Sequence, residues 1–561
     1  MATSPISVLI LIVVTQAGAG PTGLVLGLTL LQNGIQVRIV DKDPNRHPGQ
    51  RGSGLQPRTL ELFHFLGVLD DVDAMALSIM PRREYKLPGG TETLKVAMIA
   101  AIEDPTPSTP YVNARLLGQY NTEAILRAHI ERLGGTVEYG TELRGFEQHP
   151  DHIEATLVTK DGEKDKTETL ASHWLVGTDG ARGVVRKQLG LSFIGETRTD
   201  GVVILLGLVE VQGLDAKHWH QWAEMNAGGL VLIPTERTGY YSFLLGGVQD
   251  VEKLLVDRDA LVETLLNRVE RQDLVFGKVE AVSSYRPNIR MVDKFGEGRV
   301  FVAGDAAHVH SPAGGQGLNS SVQDAFNLAW KLTLVEKGLA SPSLLATYTE
   351  ERLPVIAAML QKSTDLYDAM RKGDQRGWER GGNLRMLGVN YRWSSIVVDE
   401  RTPKAQSPES VNPYGSGTDG DLRAGDRAPD APGLVSVGSE EAGGSTSLFS
   451  VFRPSHHTAL LFNLPAEETE QVLRVAQKYP SGSVKTVSIY PQGTSVPNVI
   501  GRPDLAVVDK DGHAYAGYQV SPEKPTIVIV RPDGVVGGIV YGLSGVEQYF
   551  RGVFDATGDA L

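Results

Sequence analysis

Three groups of residues in this chain have the types and spacing to do chemistry, and each sets glycine beside an acid. The first is Gly18-Ala19-Gly20-Pro21-Thr22-Gly23, followed by Asp41. Gly18 permits a tight turn, Gly20 lets backbone approach a pyrophosphate, and Gly23 allows a helix to pack close to a strand. A helix starting here offers free N–H groups and a positive dipole end to phosphates. Asp41 falls about 20 residues on, where an acid accepts ribose hydroxyls. The fingerprint alone also fits a plain tight turn; strand before, helix after and acid in place favour a dinucleotide. The second group is Asp179-Gly180-Ala181-Arg182-Gly183-Val184-Val185-Arg186. The third is Gly304-Asp305-Ala306-Ala307-His308, continued by Pro312-Ala313-Gly314-Gly315-Gln316-Gly317-Leu318-Asn319.

Composition narrows the chemistry. The chain has 561 residues, too many for one ordinary core, and two or three domains are expected. It is 41% apolar, as globular proteins are, and its net charge of −13 disfavours nucleic acid or anionic membrane as partners. It contains no cysteine. Disulfides, Cys-ligated zinc, iron–sulfur clusters and thiol relays are therefore excluded, and any redox chemistry must come from a bound organic cofactor. The apolar run Val8–Val14 is too short to span a bilayer and lacks the basic flank of a signal peptide. It reads as a buried parallel strand, with the cytoplasm as default location. That strand should enter Gly18 directly, yet Thr15-Gln16-Ala17 intervenes. Either the strand shifts its start or the translated N-terminus differs.

The positioning elements are legible from periodicity. Strand, turn, helix and strand succeed one another to Asp41, and amphipathic helices are predicted over 55–69 and from Gln119 to Leu133. Val137 to Thr169 alternates as an antiparallel meander, Trp174–Gly177 is a buried strand, and Arg299–Gly304 a strand running into a loop before a long helix. Residues 1–80, 111–199 and 286–399 are assigned to a Rossmann-like α/β domain with its following helices. Residues 81–110 and 200–285 form an inserted sheet domain. Residues 400–433, rich in Pro, Gly, Ser and Asp, are a linker, and 434–561 a small α/β domain.

On its second and third groups the chain resembles the flavin monooxygenases of the para-hydroxybenzoate hydroxylase fold, the class A aromatic hydroxylases, over about residues 8–360. Their middle motif, DG-x-x-S-x-x-R, is matched from Asp179 to Arg186 with Gly183 in place of serine. The resemblance implies FAD as cofactor, with Asp305 on the ribityl chain and 314–319, including Gly315, Gly317, Leu318 and Asn319, lining the isoalloxazine ring. Backbone without side chains can approach a flat ring edge, and a helix beginning near Gln316 would stabilise negative charge on the reduced ring. By the same alignment Arg51 and Gln119 contact FAD, although a surface charge and a helix cap describe them equally. Arg182 and Arg186 lie on one face if that segment is helical, serving FAD, NAD(P)H or a surface ion pair.

Gly425-Asp426-Arg427-Ala428-Pro429 and Val530-Arg531-Pro532-Asp533-Gly534 resemble the thioredoxin-like extension of phenol hydroxylases. Without cysteine it cannot exchange disulfides, so a structural or homodimer-supporting role is expected. The resemblance puts the substrate under the sheet of 200–285, facing the ring. Tyr241 is the candidate phenol-orienting group, with a core role equally open, and Pro312 is the second catalytic candidate. Ser53 stands where phenol hydroxylases carry an acid. His218-x-His220 lacks a third ligand, His308 belongs to the flavin motif, and no metal is expected. The implied reaction takes NADPH or NADH, O2 and a phenolic or polyketide-like aromatic, which is hydroxylated through a C4a-hydroperoxyflavin. Epoxidation, Baeyer–Villiger insertion, or flavin oxidoreduction without oxygen insertion are the alternatives. A W-x-W-x-I-P halogenase motif is not found.

Overall fold

The computed structural model describes residues 12–45, 52–161, 164–197, 203–286, 288–402, 412–415, 420–437, 445–493 and 502–555. The first sheet has a parallel spine in the order Val300–Val302, Lys164–Gly177, Ile12–Ala17, Val37–Asp41, Val137–Tyr139. The strand Ile12–Ala17 runs directly into Gly18, so Thr15-Gln16-Ala17 is part of it. Its buried polar residues each make a hydrogen bond inside the protein. Thr15 Oγ1 donates to Ser172 Oγ at 3.0 Å, and Gln16 Nε2 donates to the Gly18 carbonyl at 3.1 Å.

Helix α1, Pro21–Gln32, packs against helix α2, Gly317–Glu336. From Asn319 to Val335 every residue of α2 is buried, so this helix is the centre of the domain and not a half-wet surface element. Two of its polar residues are paired inside: Asn327 Nδ2 and Lys331 Nζ both donate to Glu351 Oε2, at 2.6 and 2.8 Å. Glu351 lies on helix α3, Ala346–Arg371. No helix among the described residues is long and apolar enough to cross a membrane.

The middle sheet is ordered Val275–Tyr285, Ile204–Gln212, Tyr240–Leu245, Leu230–Pro234, Trp219–Trp222, Arg82–Tyr85, Thr93–Ala97. Strands from before and after the second motif thus share one sheet. Its two faces differ. One is sealed by the helix Arg258–Val269, whose Leu261 and Leu265 meet Trp222, Leu232 and Phe243. The other carries Trp219, Val231 and Ile233 into a cluster with Ala313, Tyr367 and Trp378, next to the third motif.

The C-terminal sheet runs Val398–Asp399, Val536–Val540, Thr526–Val530, His457–Phe462, Val484–Pro491, Leu505–Asp509, Leu434–Ser436, with parallel pairing on one side of His457–Phe462 and antiparallel on the other. Helices Ala466–Ala476 and Leu543–Val553 flank it. Residues 420–433 are not a free tether. Ala424, Ala428 and Ala431 are buried, Arg427 pairs with Glu61 at 2.9 Å, and Asp426 pairs with Arg392 at 2.6 Å.

Candidate active site

Strand register brings the three glycine–acid segments to one edge. Ala17 lies opposite Gly177, and Gly177 opposite Val302, so Gly18, Thr178 and Ala303 leave the sheet together. This is the carboxyl end of a parallel sheet, where ligands bind. Gly18 sits at φ +105° with the Thr178 carbonyl 2.3 Å from where a Cβ would stand. Gly304, at φ +62°, would meet Thr22 Oγ1 at 2.5 Å. Both backbones are left-handed and neither has room for a side chain. The segments are also tied to one another. Thr178 Oγ1 donates to the carbonyls of Ala17 and Gly18 at 3.0 and 2.8 Å. Arg186 Nη1 donates to the Ala306 carbonyl at 2.9 Å, joining the second segment to the third.

What faces outward from this knot is open and polar. A Cβ at Gly20 would meet nothing within 4 Å, and one at Gly315 only Gln56 Nε2 at 3.9 Å. No side chain caps the start of α1 or of α2. Asp305 is exposed. Asp41 is buried, its Oδ2 accepting from the Ala19 N–H at 2.8 Å and its Oδ1 from the Asp43 N–H at 2.9 Å. A carboxylate has about four lone-pair sites, so both oxygens retain capacity for ribose hydroxyls while they shape the glycine turn. A clear approach to backbone, two uncapped helix starts and two acids fit a dinucleotide flavin: α1 and Gly20 for the pyrophosphate, Asp41 for the ribose, Asp305 for the ribityl chain, Gly315 and Gly317 for the ring.

Several candidates occupy other roles in the folded chain. Asp179 turns inward: its Oδ2 accepts from the Val185 N–H at 3.1 Å, at the start of the short helix Val184–Gln188. A Cβ at Gly183 would stand 2.0 Å from Asp179 Oδ1, so the carboxylate fills the space of the usual serine. Burial pushes that carboxyl above the ordinary range. Arg182 and Arg186 do not share a helical face: the helix begins only at Val184, Arg182 is exposed and Arg186 is buried. Asn319 has its amide engaged by protein, accepting from the Gln56 N–H and Thr59 Oγ1 and donating to the carbonyls of Gly54 and Gly315, at 2.7 to 2.9 Å. What Asn319 has left to offer a ligand is therefore backbone. Gln119 begins the helix Gln119–Arg132 and donates from Nε2 to Glu123 Oε1 at 2.8 Å. Pro312 is half-buried and precedes the 3₁₀ turn Ala313–Gly315, its carbonyl accepting from the Gly315 N–H at 3.1 Å. Arg51 lies outside the described residues.

Tyr241 was the candidate phenol-orienting group, with a core role equally open. It projects from the helix-sealed face of the middle sheet, packed with Tyr85, Trp222 and Leu265. Its hydroxyl donates to the carbonyls of Leu214 and Asp215, at 3.1 and 3.2 Å, and burial pushes it up to about 12. Adjacent strand residues face opposite ways, so which of Tyr240 and Tyr241 is enclosed cannot be recognised from composition; alternation and the covering helix decide it. His218 and His220 are likewise engaged, with Asp215 Oδ1 at 2.7 Å and the Asp215 carbonyl at 2.8 Å.

Sequence reading missed the support behind the ring-lining loop. Asp324 of α2 accepts from the Gly304 N–H at 3.1 Å, meets His308 Nε2 at 2.7 Å and accepts from Arg352 Nε at 2.7 Å. Burial alone would raise Asp324; Arg352 and His308 outweigh it and hold the carboxyl below the ordinary range. Asp324 is the one acid of α2 before its last residue, Glu336, and that was the available signal. Tyr285 donates to the His310 carbonyl at 2.8 Å, and His310 Nε2 lies 3.0 Å from the Cβ position of Gly317. Burial, with His308 nearby, pushes the His310 imidazole down to about 4, so it is neutral. Beside this loop is a cavity of about 620 Å³ between Met98, Ile99, Leu366, Gly381 and Leu384. Leu366 and Leu384 stand 3.2 and 3.3 Å from the Cβ position of Gly314, so the cavity wall touches the ring-lining turn.

Parallel sheet, glycine turns and uncapped helices define a dinucleotide-binding flavoprotein. The chain belongs to the class A flavoprotein monooxygenases: residues 9–363 match the FAD binding domain family, and 500–557 the phenol hydroxylase C-terminal dimerisation domain. It is similar to a flavin-dependent monooxygenase of Mycobacteroides abscessus, 37% identical over 550 residues, 96% of this chain and 99% of that one. It is also similar to pentachlorophenol 4-monooxygenase of Sphingobium chlorophenolicum, 27% identical with 85% of each chain covered. The fold is shared with the flavin-dependent monooxygenase PieE (TM-score 0.79, 22% identical, 97% and 98% covered). It is shared too with aklavinone-11 hydroxylase (TM-score 0.78, 24% identical, 97% and 99% covered). The protein is an FAD-dependent monooxygenase of the aromatic hydroxylase type.

Proposed function

We propose that this enzyme consumes NADPH or NADH and O2 to hydroxylate a phenolic or polyketide-like aromatic held between the middle sheet and the 312–319 turn. The observation that carries the reading is the contact of the cavity with Gly314, which sets a substrate-sized space beside the ring-lining backbone. Relatives named for pentachlorophenol and aklavinone support an aromatic substrate. Bound FAD supplies electron transfer from the nicotinamide to O2 and the activated oxygen atom.

The chain's own residues do the rest. Gly20 and the start of α1 hold the pyrophosphate, Asp41 the ribose and Asp305 the ribityl chain. The start of α2 places its positive dipole end where negative charge gathers on the reduced ring. Asp324, fixed by Arg352 and His308, holds the Gly304 N–H and with it the turn carrying Asp305. Neutral His310 adds no charge that would compete with the helix end. Ile99, Leu366 and Leu384 give the cavity an apolar wall, with Lys362, Asp365 and Glu379 also lining it. A homodimer formed through the C-terminal domain and a cytoplasmic setting complete the proposal. The test is substrate-dependent NADPH oxidation by the yellow holoenzyme, with one added oxygen in the product mass. A colourless protein, or NADPH oxidation that yields only peroxide with every phenol and polycyclic aromatic tried, sinks it.

A further inference from the structure

The two histidines of His218-x-His220 are spent on protein. His218 Nδ1 meets Asp215 Oδ1 at 2.7 Å, and His220 meets the Tyr85 hydroxyl at 2.7 Å and the Asp215 carbonyl at 2.8 Å. A second pair is not. His149 and His152 begin and end the turn between the strands Thr141–Gln148 and Ile153–Asp161. The His149 N–H donates to the His152 carbonyl at 2.9 Å, and the two rings stack with centroids 4.5 Å apart and planes at 16°. Glu154, from the second strand, brings Oε1 to 3.6 Å from His152 Nε2. One ligand atom from each of His149, His152 and Glu154 lies within 4.8 Å of the other two, the one such group among the described residues.

The polar atoms here are arranged for a cation and not for one another. His152 Nδ1 is held by Asp151 Oδ1 at 2.8 Å, which keeps the proton of a neutral imidazole on Nδ1 and the lone pair on Nε2. His149 Nε2 is buried and has no hydrogen-bond partner, which is costly unless something completes it. The 3.6 Å from His152 Nε2 to Glu154 Oε1 is too long for a hydrogen bond. It is close to the edge, about 3.3 Å, of a tetrahedron with bonds of about 2.0 Å to zinc. The turn is also fixed from outside. The Arg299 N–H donates to Gln148 Oε1 at 2.6 Å, and Arg299 Nε donates to the Pro150 carbonyl at 2.9 Å. Charge closes too, since a divalent ion is answered by Glu154 directly and by Asp151 through His152.

We propose that His149, His152 and Glu154 bind a divalent transition-metal ion, with zinc as the probe and water completing four-coordination. Imidazole with carboxylate suits zinc, whereas calcium and magnesium take oxygen donors. The ion pins the hairpin turn. This departs from the sequence expectation of no metal, because a turn and not a motif brings the ligands together. The site lies away from the flavin crevice. Ile153 pairs with Ser172, and Ser172 with Ile12, at the opposite end of the strand that enters Gly18. From Ser172 to the crevice edge at Gly177 is about 17 Å of strand. The inference is therefore independent of the proposed substrate.

The test is a calorimetric zinc titration of the tag-free, FAD-loaded enzyme. One zinc binds per chain, excess magnesium does not compete, and the flavin absorbance spectrum stays unchanged. Asp151→Asn, at a side chain 85% exposed, weakens zinc about tenfold, as loss of a partner behind a ligating histidine does. His149→Gln and His152→Gln remove a ligand itself and weaken zinc by more than about a hundredfold. Flavin content reports that each variant is folded. If a histidine variant loses its flavin, Asp151→Asn decides alone. A wild type that takes up no zinc overturns the site. So does zinc affinity undiminished in Asp151→Asn or in a folded histidine variant, and so does a flavin spectrum that shifts as zinc binds.

Discussion

The flavin crevice and the joint between the first and C-terminal domains use the same materials, glycine turns and charged groups against helix α2, to opposite ends. At the joint every charge is enclosed and answered. Arg531 and Glu351 have fully buried side chains and pair through two bonds of 2.7 and 2.9 Å. Arg531 also meets Asp533 at 2.5 Å, and Lys331 and Ser394 donate to Glu351 at 2.8 and 2.7 Å. Burial would raise Glu351, but Arg531 and Lys331 hold it far below the ordinary range. In the crevice Asp305 is exposed, Gly20 faces open space and two helix starts lack caps. Open polarity beside a rigid backbone marks a ligand site; closed polarity marks architecture.

That contrast can be broken experimentally. Arg531→Met leaves buried carboxylates without their main cation, and unfolding in denaturant should show a loss of about 3–5 kcal/mol. A loss below about 1 kcal/mol would mean the joint is not closed. Gly20→Ala tests the crevice: the Cβ meets no protein atom, so the flavin-free protein should unfold within about 0.5 kcal/mol of wild type. Flavin affinity should nevertheless fall about a hundredfold, or about 3 kcal/mol, by equilibrium titration, because pyrophosphate needs that approach. Unchanged affinity would remove Gly20 from the site.

A third test uses pH. His457 is buried at the joint, 5.3 Å from the Trp330 ring, and burial with Arg531 nearby pushes its imidazole down to about 3. The unfolded chain binds that proton near pH 6.5, so this contribution is complete above about 6.5 and is lost as pH falls toward the folded value. Between pH 7 and 5 it is worth about 2 kcal/mol, and His457→Phe should flatten the stability profile there by that amount. An unchanged profile refutes the assignment. Smallest is Tyr241→Phe, which loses two carbonyl contacts on the sealed face and should cost about 1 kcal/mol of stability. KM for the aromatic should not move; a rise in KM would return Tyr241 to the substrate side.

Much of the crevice was legible before any coordinates. Gly18, Gly304 and Asp305 stand out in type and spacing, and the sheet register merely gathers them. The roles of Asp179 and Asn319 were not legible, since both lie in the same motifs and yet turn toward protein. The surroundings of Tyr241 were not legible for a narrower reason. Residues 240 and 241 are both tyrosine, and only the helix covering one face tells which of them is sealed in.

Residue type and order alone pointed to a dinucleotide, and the family resemblance carried by the second and third motifs made it a flavin. The freedom of a glycine backbone, the absence of cysteine and the spacing of acids are local properties that survive without a fold. Tertiary structure alone decided which polar groups remain open. Whether Asp179 or Asn319 meets protein or ligand depends on strand register and on partners far away in the chain. Those are facts about neighbours in space.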